Sequence, residues 1–386
     1  MPGPLRGVRI LDLTHVLNGP FCTMLLAHMG AEVLKIEYGS GDRYRHSWMP
    51  PDAKRDGYEF LMVNSNKKGI TLNLKHEKAK EIFCELVKKS DVVVENFSLG
   101  VMERLGLGYE TLREVNPRVI YATSKGYGES GPYSHVRANA STIMATSGWQ
   151  NAAHELAHKP GIRALGIGDE AAGVSLALGI CAALYARERT GRGQKIEVAM
   201  QEALMGFMVS SFHTYFENRP VAQPPKQCAD GYYAFHLPDL PDELWRRLAT
   251  AMGRPELPED PRYASAKARR QNYHELEELV SEWVRGKTRR ELWEALSALG
   301  LPSGPVLSLG ELMKDPHLQE RKAFVEIEHS QAGTIKVLAP WARFSETPSA
   351  ITRAAPLVGQ DNVEVYGELL GLSAEEVRRL AREGVI

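Results

Sequence analysis

The fold is decided by residues 8–37, which read VRILDLTHVLNGPFCTMLLAHMGAEVLKIE. The apolar run at 8–13 predicts a buried strand, the polar turn after it opens a helix at 21–29, and 31–37 predicts a second strand. Two strands joined by a helix of this length form a βαβ unit, and such units pair their strands in parallel. The stretch therefore predicts the start of a parallel sheet.

The same alternation of strand and helix continues along the chain. Further strands are predicted at 69–74, 91–95 and 119–124, with helices at 77–89 and 109–115. This succession predicts an α/β domain with a doubly wound, Rossmann-like parallel sheet. Ligands of such sheets bind beyond the carboxyl ends of the strands, so the polar residues that follow the strands become candidates for a site.

A proline-rich stretch at 219–225 predicts a linker between two domains, because 386 residues are too many for one ordinary core. We predict a large α/β domain at 1–218, a smaller α+β domain at 219–325 and a C-terminal segment at 326–386. A helix is predicted at 201–217, amphipathic helices are predicted at 240–253, 272–284 and 288–299, and a well-capped helix is predicted at 373–382.

The composition is that of a globular protein, with 43% hydrophobic and 25% charged residues and a net charge of −1. A nearly neutral chain has no overall attraction to nucleic acid or to an anionic membrane surface. The four cysteines form no Cys-x-x-Cys pair, which favours reduced thiols and a cytoplasmic location. The N-terminus lacks the apolar core of a leader peptide, and we predict no transmembrane span.

Several chemistries lack their sequence signatures. No Gly-x-Gly-x-x-Gly follows the first strand, which argues against a dinucleotide-dependent dehydrogenase. The histidines show neither His-x-x-x-His nor His-Glu-x-x-His spacing, so no metal site is predicted. The serine in Gly128-Glu-Ser-Gly131 lacks the spacing of a hydrolase nucleophile.

One carboxylate stands out in the stretch Gly166-Ile-Gly-Asp-Glu-Ala-Ala-Gly173, where a glycine-rich turn meets a long apolar helix. Its position predicts that Asp169 lies at or beside the helix N-cap, where it would contribute about 1 kcal/mol. The helix dipole is expected to keep this carboxylate ionised. An ionised carboxylate on an open turn can also attack an activated carbonyl, so Asp169 is a candidate nucleophile as well as a cap.

Polar side chains follow three of the predicted strands, namely Thr14, His15 and Asn18, then 95–97, then 124–128. Such residues either bind a ligand or cap the next helix. Scattered cations lie near these segments. Each is either a solvated surface charge or part of a site for nucleotide phosphates; they are Lys67, Lys68, Lys75, Arg104, Lys125 and Arg137.

Together these segments resemble the successive motifs of the class III coenzyme A transferases, the CaiB/BaiF family. The motifs are Leu11-Asp-Leu-Thr-His-Val with Gly19-Pro, Gly30-Ala-Glu-Val-Leu-Lys-Ile-Glu37, Asn64-Ser-Asn-Lys-Lys-Gly69, Val94-Glu-Asn-Phe97, Gly126-Tyr-Gly-Glu-Ser-Gly-Pro132, Gly168-Asp169, Thr190-Gly-Arg-Gly-Gln194, Gly300-Leu-Pro-Ser-Gly-Pro-Val306 and Pro356-Leu-Val-Gly359. The resemblance covers nearly the whole chain, and within the family it is similar to the formyl-CoA:oxalate CoA-transferases.

The resemblance implies a CoA transfer in which Asp169 attacks an acyl-CoA thioester and forms a mixed anhydride. The CoA thiolate then gives an aspartyl-CoA thioester, which an incoming small carboxylic or dicarboxylic acid displaces. Acyl-CoA is a substrate here, and no tightly bound cofactor is implied. By the same resemblance, CoA lies against Asn18, Leu72, Asn73, Lys75, Asn96, Phe97, Arg104, Lys125 and Arg137. The family also implies an interlocked homodimer in which 326–386 returns to the large domain.

The chain departs from the formyl-CoA enzymes at positions that bear on substrate choice. Leu17 replaces a glutamine, Tyr38 replaces an arginine, and no glycine-rich loop is found between residues 218 and 240. Oxalate is therefore only one of several candidate acceptors.

Two alternatives stay open. The α-methylacyl-CoA racemases share the fold but pair the aspartate with a histidine, where this chain has Asn139. His135 is out of register with that histidine, and we interpret it as a surface residue. A CoA-binding subunit without catalytic activity is the second alternative, and the presence of Asp169 argues against it.

Overall fold

A computed structural model describes residues 3–47, 49–50, 53–152, 166–217, 225–237 and 240–386. Within them, the chain divides into two compact units. The first takes residues up to 152, then 166–213 and 319–386, and the second takes the described residues of 214–318. The linker predicted at 219–225 lies almost wholly outside the described residues, so the domain limits 1–218, 219–325 and 326–386 stay predictions.

The first unit is built on a six-stranded parallel sheet in the order β3-β2-β1-β4-β5-β6. The strands are β1 Arg9–Asp12, β2 Glu32–Glu37, β3 Lys67–Thr71, β4 Val92–Glu95, β5 Ile120–Lys125 and β6 Lys195–Ala199. Leu11 of β1 pairs with Leu34 of β2 on one side and with Val93 of β4 on the other. The prediction of a doubly wound parallel sheet is confirmed. The order reverses between β1 and β4, which is where ligands of such sheets bind.

Helices cover both faces of this sheet. Alternate residues of β1 enter different cores, because successive side chains of a strand point to opposite faces. Ile10 packs with Leu26, Leu176 and Ile180, whereas Leu11 packs in the other core. The helices are Asn18–His28, Tyr58–Val63, Glu77–Lys88, Val101–Arg104, Tyr109–Val115, Ala140–Thr146, Gly168–Thr190, Met200–Gly206, Asn362–Leu370 and Ala374–Arg382, with a 3₁₀ turn at Arg43–Arg45.

The first unit also holds an antiparallel hairpin of two strands, β10 Phe324–His329 and β11 Gly333–Leu338. The last helix begins where predicted, because Ser373 and Glu376 form a reciprocal capping box. The single helix predicted at 201–217 is wrong. It is divided into Met200–Gly206 and Val209–Glu217, because the amides at 207 and 208 bond three residues back and tighten the turn there.

The second unit packs helices on a small antiparallel sheet of β7 Lys226–Cys228, β8 Gly231–Phe235 and β9 Ser303–Pro305. Its core gathers Trp245, Leu276 and Leu292 from three of those helices. The three predicted amphipathic helices are all present. The helices are Asp242–Ala251, Ala266–Gln271, Tyr273–Arg285, Arg289–Ala298 and Leu309–Leu312, with a 3₁₀ turn at Leu257–Glu259; Pro316–Glu320 ends at the limit of the unit.

The helix Gly168–Thr190 is long and apolar enough to cross a membrane by length and composition alone, with a mean hydropathy of 1.3 over its most apolar window. That window is 44% buried, and Leu176, Ile180 and Leu184 of this helix pack in one of the two cores beside the sheet. The predicted absence of a transmembrane span stays a prediction. All four cysteines are free thiols, and the cytoplasmic location also stays a prediction.

Candidate active site

A cavity of about 670 Å³ lies in the first unit, at the carboxyl ends of β1, β4 and β5. Its walls come from the segments that follow those strands, residues 15–18, 96–99 and 124–126, and from residues 134–140. Gly41, Arg43, Asp169 and Met200 complete the lining. This is the position where the strand order reverses, so the fold itself predicts a ligand here. Its volume suits a small-molecule site.

Asp169 is the second residue of the helix Gly168–Thr190, whose N-cap is Ile167. The prediction that Asp169 caps this helix is therefore wrong, although the residue does lie beside the cap. None of the described residues donates a hydrogen bond to its carboxylate. The carboxylate is thus left available to a ligand in the cavity.

Burial, and after it the charge of the adjacent Glu170, raises the pKa of Asp169 to about 7. The expectation that the helix dipole keeps this group fully ionised is wrong. The dipole contributes about 0.3–1 kcal/mol, which is less than one pKa unit, whereas burial can shift a pKa by several units. Near neutral pH, Asp169 is divided between its protonated and ionised forms.

The surroundings of Asp169 are acidic. Burial raises the pKa of Glu170 as well, and its Oε2 atom has no hydrogen-bond partner within the described residues. The pKa of Tyr44 rises to about 12, first because of burial and then because of the charges of Glu59, Asp169 and Glu170. No described cation offsets these charges by pairing with Asp169 or Glu170. The charge of Glu170 therefore adds to burial, the larger cause, in making the Asp169 proton hard to remove.

The structure brings together most of the residues predicted to contact CoA. Asn18, Asn96, Phe97, Lys125 and Arg137 line the same cavity as Asp169.

The other four predicted contacts do not line it. Leu72 is buried in the core, and Asn73 bonds through its amide and side chain to the carbonyls of Val385 and Gly384. Lys75 and Arg104 are exposed, and the guanidinium of Arg104 reaches the carbonyl of Leu99 at 3.5 Å.

Several lining side chains are already engaged. Lys125 donates to both oxygens of Glu95, at 2.7 and 2.8 Å, and to the carbonyl of Phe97 at 2.6 Å. Asn18 donates to the Ser124 hydroxyl at 2.9 Å. These groups shape the wall of the cavity, and the charge of Lys125 is balanced by Glu95.

Two arginines remain free for an anionic ligand. Arg43 and Arg137 line the cavity, are exposed, and form no ion pair with any described residue. Arg137 was predicted, and Arg43 was missed. The sequence does carry a signal for Arg43, because Gly39-Ser-Gly41 directly follows the predicted strand 31–37, and glycine-rich turns at strand ends often bind ligands.

His135 and Asn139 both line the cavity. His135 is exposed, as its interpretation as a surface residue requires, and it also faces the site. The Asn139 side chain accepts from the amide of Thr142 at 3.0 Å and caps the helix Ala140–Thr146. Asn139 therefore has a structural role at the position where the racemases carry a histidine.

A second, apolar cavity of about 310 Å³ lies elsewhere in the first unit, with Phe21, Leu178 and Trp341 in its walls. None of the predicted site residues lines it. The cavity that contains Asp169 is therefore the better candidate for chemistry, because it combines convergent polar groups with a perturbed carboxylate.

Comparison with known proteins agrees with this geometry. The family model described as CoA-transferase family III matches residues 5–362. The formyl-CoA:oxalate CoA-transferase of Streptomyces coelicolor is 36% identical over 99% of both chains, and that of Bradyrhizobium sp. is 32% identical over 100% of this chain and 98% of the relative.

Solved structures are also similar to this chain. A CaiB/BaiF family protein from Brucella suis has a TM-score of 0.82 at 27% identity, covering 96% of this chain and 100% of that one. A protein from Mycobacterium tuberculosis has a TM-score of 0.83 at 32% identity, covering 94% and 99%. The chain belongs to the family III CoA-transferases, also called the CaiB/BaiF family.

Proposed function

We propose that this CoA-transferase moves CoA from an acyl-CoA to a small carboxylic or dicarboxylic acid through intermediates covalently bound to Asp169. The observation that carries the proposal is the placement of Asp169. It lies in the cavity at the strand ends, and no described residue occupies its carboxylate. A free carboxylate in such a site can act as a nucleophile.

The chemistry balances without any other reagent. The Asp169 carboxylate attacks the thioester carbonyl, the C–S bond breaks, and an acyl-aspartyl anhydride and a CoA thiolate form. The thiolate attacks the aspartyl carbonyl of this anhydride, which releases the donor carboxylate and leaves CoA as an aspartyl thioester. The acceptor carboxylate then attacks the carbonyl of this aspartyl thioester, which releases the CoA thiolate and forms a second mixed anhydride. The thiolate attacks the acceptor's acyl carbonyl in that anhydride, which gives the new acyl-CoA and regenerates the Asp169 carboxylate.

The raised pKa of Asp169 supports this role. A carboxylate that holds its proton more tightly is also a stronger nucleophile once it is ionised. A pKa of about 7 leaves a substantial ionised fraction at neutral pH. The amides of the first helical turn lack helical partners and can donate to the oxyanion that develops at the attacked carbonyl.

The phosphates of CoA would suit the two arginines of the cavity that form no ion pair with a described residue. Arg43 and Arg137 reach it from separate segments, and arginine binds phosphate oxygens through two parallel hydrogen bonds. Asn18, Asn96, Phe97 and Lys125 form the wall between the strand ends. The thioester would therefore point toward Asp169 while the nucleotide end lies toward the arginines.

The test is to trap the intermediate. The protein is incubated with an acyl-CoA, without acceptor, and then digested and analysed by mass spectrometry. We expect the mass of CoA on the peptide that contains Asp169, and after treatment with hydroxylamine we expect CoA to leave as the free thiol and an aspartyl hydroxamate to remain at Asp169. A fully active protein with no adduct on that peptide would contradict the proposal.

The acceptor is to be identified with a panel that includes oxalate and monocarboxylates. Two of the relatives named above are formyl-CoA:oxalate CoA-transferases. Leu17 lines the cavity here, at the position where the resemblance places a glutamine in those enzymes. An apolar side chain cannot hydrogen-bond a second carboxylate, so we expect acceptors with one carboxylate to compete well with oxalate. In the same panel, α-proton exchange in deuterated water without acceptor would instead favour the racemase alternative.

We also propose that the enzyme is a homodimer, as the family resemblance implies. Leu178 is 70% exposed and Tyr185 is 67% exposed on the long helix, and Trp341 is 60% exposed in the same unit. Large apolar side chains exposed together are typical of surfaces that bind another protein. Light scattering coupled to size exclusion should give twice the 42.9 kDa chain mass, and a monomer at micromolar concentration would contradict the proposal.

A further inference from the structure

The loop that follows β1, residues 14–18, is anchored from two sides. On one side, Asn96 accepts from the amide of His15 at 2.9 Å and donates to its carbonyl at 2.8 Å. On the other side, the amide of Val16 donates to both oxygens of Asp42, at 3.0 and 3.1 Å. Because residues 15–18 line the cavity with Asp169, these anchors set the shape of one of its walls.

Val16 has an unfavourable backbone conformation. Its φ angle is +70°, and among the described residues only Asn66 and Lys322 share a positive φ without being glycine. A β-branched residue rarely adopts this left-handed region, because its side chain crowds the backbone. Such a conformation persists only where surrounding contacts hold it.

Asp42 is the group best placed to hold it. Its side chain is fully buried, and Lys35, also fully buried, donates to it at 3.1 Å. Lys35 also donates to the carbonyl of Thr14 at 2.9 Å. The Asp42–Lys35 pair therefore bonds to the loop at two points, the amide of Val16 and the carbonyl of Thr14.

Asp42 also holds a second segment next to the cavity. Its carboxylate accepts from the amide of Tyr44 at 3.0 Å and caps the turn Arg43–Arg45. Arg43, the first residue of that turn, lines the cavity. The buried carboxylate of Asp42 therefore bonds both to the loop after β1 and to the turn that carries Arg43, which lines the cavity.

We propose that Asp42, supported by Lys35, is a positioning residue that holds Val16 in its left-handed conformation and so shapes the cavity for acyl-CoA. The inference rests on the proposed use of this cavity as the active site. Asp42 does not line the cavity, so it acts through the backbone of Val16 and the turn that carries Arg43.

The test is a double-mutant cycle of Asp42→Asn and Val16→Gly. The Asn side chain has one neutral carbonyl oxygen, so it cannot accept the hydrogen bond of the Val16 amide with two charged oxygens as Asp42 does. Asp42→Asn should therefore raise the KM for acyl-CoA about tenfold, because small displacements of binding groups are costly. Glycine adopts a positive φ without strain. In the Val16→Gly background, the same substitution should therefore raise KM about threefold or less.

Asp56 provides the matched control. It is a buried carboxylate that accepts from Arg45, in the turn that Asp42 caps, at 2.6 Å, but no hydrogen bond joins it to the loop after β1. Asp56→Asn should lower Tm and leave KM within about twofold of the wild type, since a broken buried pair costs stability wherever it lies. If Asp42→Asn is insoluble, Asp42→Glu keeps the charge beside Lys35 and displaces the acceptor, and it should raise KM at a nearly normal Tm.

Two results would overturn the inference. One is an equal change in KM for Asp42→Asn and Asp56→Asn, and the other is an undiminished effect of Asp42→Asn in the Val16→Gly background. Asp169→Ala is measured in the same assay. If it stays active, the proposed function fails; if it is inactive while Asp42→Asn leaves KM unchanged, only the positioning inference fails.

Discussion

Asp12 and Asp169 are both withdrawn from water near the carboxyl ends of the strands, yet their pKa values move in opposite directions. Asp12 is fully buried, and burial by itself would raise its pKa. The charges of Lys67 and Lys35 nevertheless lower the pKa of Asp12 to about 2. No described cation pairs with Asp169, and burial together with the charge of Glu170 raises its pKa to about 7.

The difference shows that burial alone does not determine what a carboxylate does. Asp12 accepts a hydrogen bond from Lys67 at 3.0 Å and further hydrogen bonds from the hydroxyls of Thr14 and Thr23. Both of its carboxylate oxygens are therefore engaged by groups of the fold. Asp169 has no described hydrogen-bond partner and faces the cavity. We infer that Asp12 stabilises the sheet end and that Asp169 is kept for chemistry, and four substitutions test this division.

The largest effect is expected at the proposed nucleophile. Asp169→Ala removes the only group proposed to carry the acyl and CoA intermediates, so kcat should fall by about 10³-fold or more. The measurement is thioester exchange between an acyl-CoA and a carboxylate, followed by chromatography. Unchanged circular dichroism and Tm would show that the fold is intact. Residual activity within tenfold of the wild type would contradict the mechanism.

At Asp12 we expect a large loss of stability instead. Asp12→Asn leaves Lys67 buried without its counter-charge, and breaking a buried pair in this way costs about 3–5 kcal/mol. Denaturant unfolding should show a much lower free energy of unfolding.

The control is Glu85→Gln, which removes an exposed ion pair with Lys88 and should cost about 0.5 kcal/mol or less. If Asp12→Asn cost no more than the control, Asp12 would have no structural role, and the contrast with Asp169 would not hold.

Much of this contrast was beyond the reach of the sequence. The sequence predicted β1 and β2 to within one residue at each end, because apolar side chains mark both strands. It did not predict that Lys35 and Glu37 of β2 would be buried as well. The position of Asp169 near the start of a helix was also predictable, from the glycine-rich turn before it.

The protonation of Asp169 was not predictable, because the amount of water excluded from it depends on segments distant in sequence. The role of Asp42 was equally hidden, since it depends on the end of β2 meeting the loop after β1. Local patterns record helix caps and strand periods, whereas pKa values and strained loops are properties of the assembled fold.

A smaller effect is expected when the charge of Asp169 is removed. A carboxyl group whose folded pKa lies above its unfolded value of 3.8 binds its proton more tightly in the folded state. Its contribution to stability is therefore lost as the pH rises toward 7, and above that the group is a net cost. Asp169→Asn should raise the free energy of unfolding by about 1–2 kcal/mol at pH 8, a value reduced by partial exposure, and by less at pH 5. Equal gains at both pH values, or a loss at pH 8, would contradict the raised pKa.

The smallest effect is expected at Glu170, whose charge is opposite in sign to that of the lysines beside Asp12. Glu170→Gln removes a like charge beside Asp169, so the pKa of Asp169 should fall, and more of the nucleophile should be ionised below pH 7. The rate of CoA-adduct formation rises with pH, and we expect the midpoint of this rise to lie about 0.5–1 pH unit lower in Glu170→Gln. The rate at pH 6 should therefore increase about threefold or more, while the rate at pH 8 should change little. Glu77→Gln is the matched control, because Glu77 also lies in the first turn of a helix but is paired with Lys80 and does not contribute to the pKa shift of Asp169. An identical pH profile for the wild type and Glu170→Gln would mean that burial alone raises the pKa of Asp169. The opposite pKa shifts of Asp12 and Asp169 would then be due to the lysines beside Asp12 and not to the acid beside Asp169.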